Sequence, residues 1–300
     1  MTKRIIIFYL ILSVLCCFFG CNYQSENEEE SLAVTTNEEN PEPNQIEQNA
    51  SDYIVRTDWM MFCFSKKDFS DSDIVNIASE AISVMSDIRN FLNANYTLEK
   101  SKGTVCYFDS TYRSDDGQKR SMCFWDEKTM YCISTDDFVH EYVHMVCGNN
   151  EDLVYSPDKL FIEGLAQYVC LNFYDSIAST KYVFFNEASV SKSSSATEHK
   201  MICELLSDNG FAYNAKNYSK ALVAIIDKYY GISVIDKNSD FYQYNIGYIF
   251  VDYCINQLGG MDKFLSVYCD SVTAIDVYGK STDDIVIESC SYNKSLFNKK

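Results

Sequence analysis

Two histidines four residues apart constrain this 300-residue chain more than any other feature. They belong to the sequence His-Glu-Tyr-Val-His at 140–144. Side chains four apart project from one face of a helix, so the imidazoles of His140 and His144 can reach one Zn2+ ion. Glu141 lies beside them, where its carboxylate can take a proton from water that the metal activates. The pattern predicts a metal-binding helix.

The residues that flank this pattern carry the signals of helix ends. Ser-Thr-Asp-Asp at 134–137 offers an N-cap followed by acidic residues, which the helix dipole stabilises in a first turn. Gly-Asn-Asn at 148–150 is typical of a helix end. We therefore expect a helix over 136–147. A second helix should begin at the Ser-Pro-Asp sequence of 156–158.

Glu163 is the candidate third metal ligand. It is the only acid in the apolar and small-residue stretch 161–168. A buried carboxylate is costly unless it is paired or bound to a metal. Eighteen residues separate His144 from Glu163, enough for a turn and a returning helix. The alternative is a surface or capping carboxylate. A catalytic zinc site would leave its fourth position to water.

This set of residues resembles the gluzincin metallopeptidases, which include the thermolysin and aminopeptidase N families. The spacing between the second histidine and the glutamate is most similar to the aminopeptidase N type. The resemblance rests on His140, Glu141, His144, Glu163 and the Glu-Gly-x-Ala sequence at 163–166.

A tyrosine further along the chain extends the resemblance. Enzymes of the aminopeptidase N type have a Tyr three residues before a Gly on a late helix, and its hydroxyl stabilises the oxyanion. In this chain Tyr244 stands three residues before Gly247. Tyr248, one helical turn further on, is the competing candidate. The chain has 23 tyrosines, so the residue type alone does not decide between them.

Two features of the related families are missing. The Gly-x-Met-Glu-Asn motif that holds a substrate's amino terminus in aminopeptidases is absent. The absence of this motif favours an endopeptidase over an aminopeptidase. Thermolysin-like enzymes place an Asp four residues after the third ligand, where this chain has Gln167. The contact that orients a ligating histidine must then come from another residue.

The first 21 residues resemble a bacterial lipoprotein signal. Two basic residues precede an apolar run at 5–19, which is shorter than the roughly 20 residues that span a bilayer. Gly20 precedes Cys21, which would be lipidated and become the new amino terminus. We expect an extracytoplasmic protein, anchored to a bacterial cell membrane through Cys21. A plain signal peptide or an uncleaved anchor is the alternative.

Charge and composition predict an acidic tether after the signal. Residues 22–52 contain nine Asp or Glu and no Lys or Arg, a composition that favours disorder. The whole chain has a net charge of −18. This argues against nucleic acid as a partner and against an anionic membrane as a direct binding surface.

The folded region should combine strands and helices. We expect strands at 53–64 and 103–109, and a helix at 71–93 with an apolar stripe. Strands at 121–125 and 129–134 form a predicted hairpin, and one of them could pair with an extended substrate. Helices are expected at 195–207, 214–230, 240–258, 261–268 and 282–297.

The remaining histidine and the cysteines leave alternatives open. His199 could be a transition-state donor, but its polar neighbours favour the surface. Cysteines of an exported protein often form disulfides, yet many here lie in apolar runs, where thiols behave as small buried groups. Cys147 and Cys170 each lie seven residues after a proposed ligand. They could bridge the two metal-site helices or simply pack there.

Taken together, the resemblance implies an α+β, zincin-like fold. An N-terminal α/β lobe at 53–150 would carry the metal-binding helix, and a helical lobe at 151–300 would supply the third ligand. It implies one Zn2+ ion, a peptide or protein substrate, Glu141 as general base and Tyr244 as oxyanion donor. We expect a monomer. The alternative is a non-catalytic surface lipoprotein that uses the fold as a binding module, although a structural zinc site has no need of a general base.

Overall fold

The first half of the described chain forms a mixed β-sheet. The computed structural model describes residues 46–92, 101–147, 158–177, 196–269 and 272–298. Within them, six strands form the sheet: β1 (Ile46–Gln48), β2 (Asp52–Arg56), β3 (Met60–Ser65), β4 (Thr104–Phe108), β5 (Met122–Phe124) and β6 (Thr129–Cys132). They lie in the order β1-β2-β3-β4-β6-β5. β3, β4 and β6 run parallel, and the other neighbouring pairs are antiparallel.

Helices make up most of the remaining described chain. The α-helices are α1 (Asp71–Phe91), α2 (Phe138–Cys147), α3 (Lys159–Ile177), α4 (Ala196–Asp208), α5 (Ala215–Tyr229), α6 (Gly247–Gln257), α7 (Met261–Cys269), α8 (Ala274–Tyr278) and α9 (Thr282–Leu296). A 3-10 turn (Thr135–Asp137) precedes α2, a second 3-10 turn (Ile232–Val234) follows α5, and a π-helix (Phe241–Ile246) leads into α6.

The architecture is therefore mixed α and β, as the α+β prediction requires. The described residues belong to one compact unit. Among the helices that the structure describes, none is long and apolar enough to cross a membrane.

Two sequence predictions need correction near the start of the sheet. The strand predicted at 53–64 is a hairpin of β2 and β3. Thr57 makes the turn, because its hydroxyl accepts hydrogen bonds from the backbone N–H groups of Trp59 and Met60. The tether predicted for 22–52 extends too far, since Ile46–Gln48 pairs with β2 as an edge strand. The signal sequence and Cys21 lie outside the described residues.

The apolar stripe predicted for 71–93 packs α1 against one face of the sheet. Phe62, Phe64 and Phe108 on that face are almost fully buried. Phe138 at the start of α2 joins them, with ring centroids 6.0 Å from both Phe62 and Phe108. Burial of each such side chain contributes about 1.5–3 kcal/mol. This aromatic core fixes where the helix after β6 begins.

Candidate metal centre

The chain enters the metal-binding helix through a short 3-10 turn. Ser134 has an extended backbone and does not cap the helix as predicted. Its hydroxyl instead lies 3.1 Å from a carboxylate oxygen of Asp137 and donates to it. The α-helix begins at Phe138, and Cys147 is its last described residue. The predicted helix stop at 148–150 lies outside the described residues.

The three predicted ligands converge on one point. The Nε2 atoms of His140 and His144 are 3.1 Å apart. A Glu163 carboxylate oxygen lies 3.1 Å from the first nitrogen and 3.3 Å from the second. The three side chains are between 13% and 19% exposed, so the site is shielded but reachable.

This geometry fits a metal ion. With bonds of about 2.0–2.1 Å and tetrahedral angles, neighbouring ligand atoms lie about 3.3 Å apart. The three observed separations of 3.1–3.3 Å are close to that value. Two imidazole nitrogens and a carboxylate oxygen are also donors that first-row divalent metals accept. The three residues can therefore hold a metal ion.

Electrostatic coupling within the site is strong. Burial acts to raise the pKa of Glu163, but contacts with His140 and His144 outweigh it and lower that pKa well below its usual range. Burial acts to lower the pKa of His140, yet the Glu163 carboxylate raises it overall. The carboxylate is thus held ionised, as a metal ligand must be.

Glu141 lies beside the ligands but has a different environment. The residue is only 7% exposed. Burial raises its pKa, although the nearby His140 and His144 oppose the rise. A buried carboxylate with a raised pKa next to a metal site is the environment expected of a general base.

The start of α3 fixes the position of Glu163. Asp158 caps this helix, because its carboxylate accepts the backbone N–H of Leu160 at 3.2 Å and its carbonyl accepts that of Phe161 at 2.8 Å. Asp158, the described residue of the predicted cap sequence, thus acts as a cap. Glu163 lies in the next turn and points towards α2.

A backbone contact between two glycines joins α3 to the end of the π-helix. A Cβ built on Gly164 would lie 2.7 Å from the carbonyl oxygen of Gly247. A Cβ on Gly247 would lie 2.9 Å from the Cα of Gly164 and 3.0 Å from the carbonyl oxygen of Leu160. Only glycine at both positions allows the helices to approach this closely. The crossing brings the turn before Gly247 next to Glu163.

That turn carries Tyr244 into the site. Its ring centroid lies 5.6 Å from that of His140. Burial, with the nearby Glu163 and Glu141 carboxylates, raises the pKa of Tyr244 well above its ordinary value. Tyr248 lies one turn further on, where its ring is 6.1 Å from that of Tyr168. Of the two candidates, Tyr244 is the one beside the ligands.

Sequence reasoning did not identify a hydroxyl that connects the sheet edge to the metal-binding helix. The Ser121 hydroxyl, just before β5, donates to Asp137 at 2.6 Å and accepts the backbone N–H of Ile133 at 2.9 Å. It ties the edge strand to the turn that leads into α2. A serine one residue before a short strand carries no distinctive sequence signal.

The other candidates lie apart from the ligands or take a structural role. His199 is half-buried, with its Nε2 atom 3.6 Å from the Cys203 sulfur and its ring centroid 6.0 Å from that of Tyr218. The surface position predicted for it is thus only partly correct. Cys147 and Cys170 are buried thiols, so the bridge considered between them is not formed.

Comparison with protein-family models gives no match to this chain. A search of curated proteins gives none either. The assignment of function therefore rests on the residues and their geometry.

Proposed function

We propose that this protein is a zinc metallopeptidase that hydrolyses internal peptide bonds. The observation that carries the proposal is the convergence of three ligand atoms, separated by 3.1–3.3 Å, beside the buried carboxylate of Glu141. We propose further that the fold is zincin-like, and that the protein acts outside the cytoplasm of a bacterial cell, anchored through Cys21.

The donor set supports a catalytic site over a structural one. Structural zinc sites are usually closed by four protein ligands, whereas catalytic sites use three and leave one position open. Within the described residues, the only group suited to a metal consists of His140, His144 and Glu163. Two carboxylates, Glu141 and Glu163, also lie next to the two imidazoles. A divalent cation would balance the negative charge of these carboxylates.

In the proposed reaction, His140, His144 and Glu163 hold the ion. When bound, Zn2+ polarises the scissile carbonyl and lowers the pKa of a water molecule to about 7. The Glu141 carboxylate accepts a proton from the attacking water and passes it to the leaving amine. Burial suits Glu141 to both steps, because its raised pKa lies nearer to neutral pH than that of an exposed glutamate.

Tyr244 would stabilise the oxyanion. The raised pKa keeps its hydroxyl protonated at neutral pH, so the group can donate a hydrogen bond. Donors of this kind typically contribute about 2.7–4 kcal/mol to transition-state stabilisation. The ring already lies beside His140, which supports Tyr244 over Tyr248 for this role.

The edge of the sheet offers a place for an extended substrate. Of the two hairpin strands, β6 pairs with β4 and β5 on its two sides, whereas β5 is the terminal strand of the sheet within the described residues. A peptide can add to such an edge by backbone hydrogen bonds, which recognise the main chain irrespective of sequence. The Ser121–Asp137 contact holds this strand next to the metal-binding helix.

The test is cleavage of a diverse peptide library by the zinc-loaded, full-length chain in detergent, compared with its Glu141→Gln variant. Glu127→Gln, on the exposed turn of the hairpin, is the matched control. We expect internal cuts by the wild type and the control, and none by Glu141→Gln, with zinc content equal in all three. Undiminished cleavage by Glu141→Gln would refute the mechanism. No cleavage by any zinc-loaded form would favour the binding module.

A further inference from the structure

The face of the sheet opposite α1 carries a straight row of side chains, most of them large. Paired residues place Ile54, Cys63, Tyr107, Tyr131 and Met122 side by side across β2, β3, β4, β6 and β5. The rings of Tyr107 and Tyr131 stack with centroids 5.0 Å apart. The row ends at Met122, on the edge strand.

Aromatic packing continues around the end of this row. Tyr112, from the segment after β4, stacks on Tyr131 with ring centroids 4.0 Å apart. Phe124, two residues after Met122, meets Tyr131 edge to face at 6.1 Å. Met122 and Phe124 are only partly buried, so the outermost side chains of this surface are accessible at the strand edge. Four aromatic side chains and one methionine thus form a single cluster at this end of the sheet face. We call this cluster, which consists of Tyr107, Tyr112, Tyr131, Phe124 and Met122, the aromatic row.

The intervening residue of β5 faces the core on the opposite side of the sheet. Cys123 pairs with Met130 and packs on the core that contains Phe138 and Tyr142 of α2. The helix α2 packs on this same face of the sheet, through the contacts of Phe138 with Phe62 and Phe108. One face of β5 therefore points to the side of the sheet on which α2 lies, and the other carries the aromatic row.

This alternation carries over to any strand that pairs with β5. Successive side chains of a strand point to opposite faces, and directly opposed side chains of neighbouring strands lie about 4.5–5.5 Å apart. A bound peptide would therefore place every second side chain beside Met122 or Phe124. The residue between them would lie on the same face as Cys123, on the side of the sheet where α2 packs.

We infer that the substrates are extended peptides with large apolar or aromatic side chains at alternate positions, where they continue the aromatic row beside Met122 and Phe124. The inference rests on the proposed peptidase function. A phenylalanine or tyrosine at such a position would bury apolar area and add a ring contact. A charged residue there would lose hydration against the apolar side chains of Met122 and Phe124.

The test measures binding separately from catalysis. A fluorescent peptide library, in which Phe replaces Ala at one position at a time, is titrated with zinc-loaded, full-length Glu141→Gln protein by fluorescence anisotropy. Because aromatic contacts are modest in strength, we expect Phe to tighten binding by about two- to tenfold. The tightening should recur at every second position within the bound segment. Met122→Ala should reduce the effect at the position opposed to it.

Met61→Ala is the matched control, because Met61 lies on the same face of the sheet but on β3, well away from the edge strand. It should keep the full preference for Phe. Thermal unfolding and zinc content, measured for both Met variants, separate loss of recognition from loss of fold. A Phe preference without the two-residue period, or one that Met122→Ala leaves intact in a folded protein, would overturn the inference.

The outcomes distinguish this inference from the proposed function. Cleavage by the wild type without an alternating preference would refute the substrate class and leave the peptidase function standing. Alternating preference in binding, with no cleavage by the wild type, would refute the peptidase function while the docking strand and its selectivity stand.

Discussion

Addition of one methyl group at the contact between Gly164 and Gly247 should disturb both the stability and the chemistry of the protein. A Cβ on Gly164 would lie 2.7 Å, 2.8 Å and 3.0 Å from the O, C and Cα atoms of Gly247. All three are backbone atoms, so no side-chain rotation can relieve the overlap. One helix must move away from the other.

The size of the effect follows from two opposing terms. Overpacking in a well-packed interior typically costs about 1–3 kcal/mol. Replacement of a helical glycine by alanine returns about 1 kcal/mol through helix propensity. Because the overlap here involves backbone, we take the upper part of the first range. The expected net loss for Gly164→Ala or Gly247→Ala is about 1–2 kcal/mol, a fall in Tm of about 2–8 °C.

The decisive measurement is a double-mutant cycle. Both methyl groups enter the same space, so the first forces the helices apart and the second then meets less resistance. Thermal and denaturant unfolding should show the double variant destabilised by less than the sum of the single variants, by at least about 0.5 kcal/mol. Additive losses, or stabilisation by either alanine, would refute the close helix crossing. Since Tyr244 precedes Gly247 by three residues, kcat should fall in both single variants with zinc content preserved.

Three further predictions test the site directly. Tyr244→Phe should lower kcat by about 10²–10³-fold, because an oxyanion donor is lost, whereas Tyr248→Phe should leave kcat near that of the wild type in steady-state assays. Ser121→Ala removes two hydrogen bonds at the start of β5, so KM should rise more than kcat falls, with zinc content unchanged and activity restored in Ser121→Thr. Metal affinity should fall with acidification, because protonated imidazole cannot ligate. The pKa of His140 is raised despite its burial, so calorimetric titrations should show this loss beginning above the ordinary histidine value of about 6.5.

The convergence of the three candidate ligands was predictable because the information is local. His140 and His144 share a helix face by spacing alone, and a lone acid in an apolar stretch identified Glu163. The apolar stripe of α1 and the hairpin of β5 and β6 were likewise confirmed, since each depends on neighbouring residues. The prediction of the helix cap failed, because the same hydroxyl can bond either to the backbone or to a nearby carboxylate. Ser134 bonds to Asp137 rather than to the backbone, and no pattern in the sequence favours one outcome.

The choice between Tyr244 and Tyr248 shows what local patterns leave undecided. Residues four apart share a face in an α-helix, so the periodicity of the sequence alone cannot separate the two tyrosines. What separates them is position along the helix axis, which the contact between Gly164 and Gly247 sets. That contact aligns the turn before Gly247 with Glu163, and the turn after it with Tyr168. Two glycines, distant in sequence, thereby decide which tyrosine ring lies beside the candidate ligands.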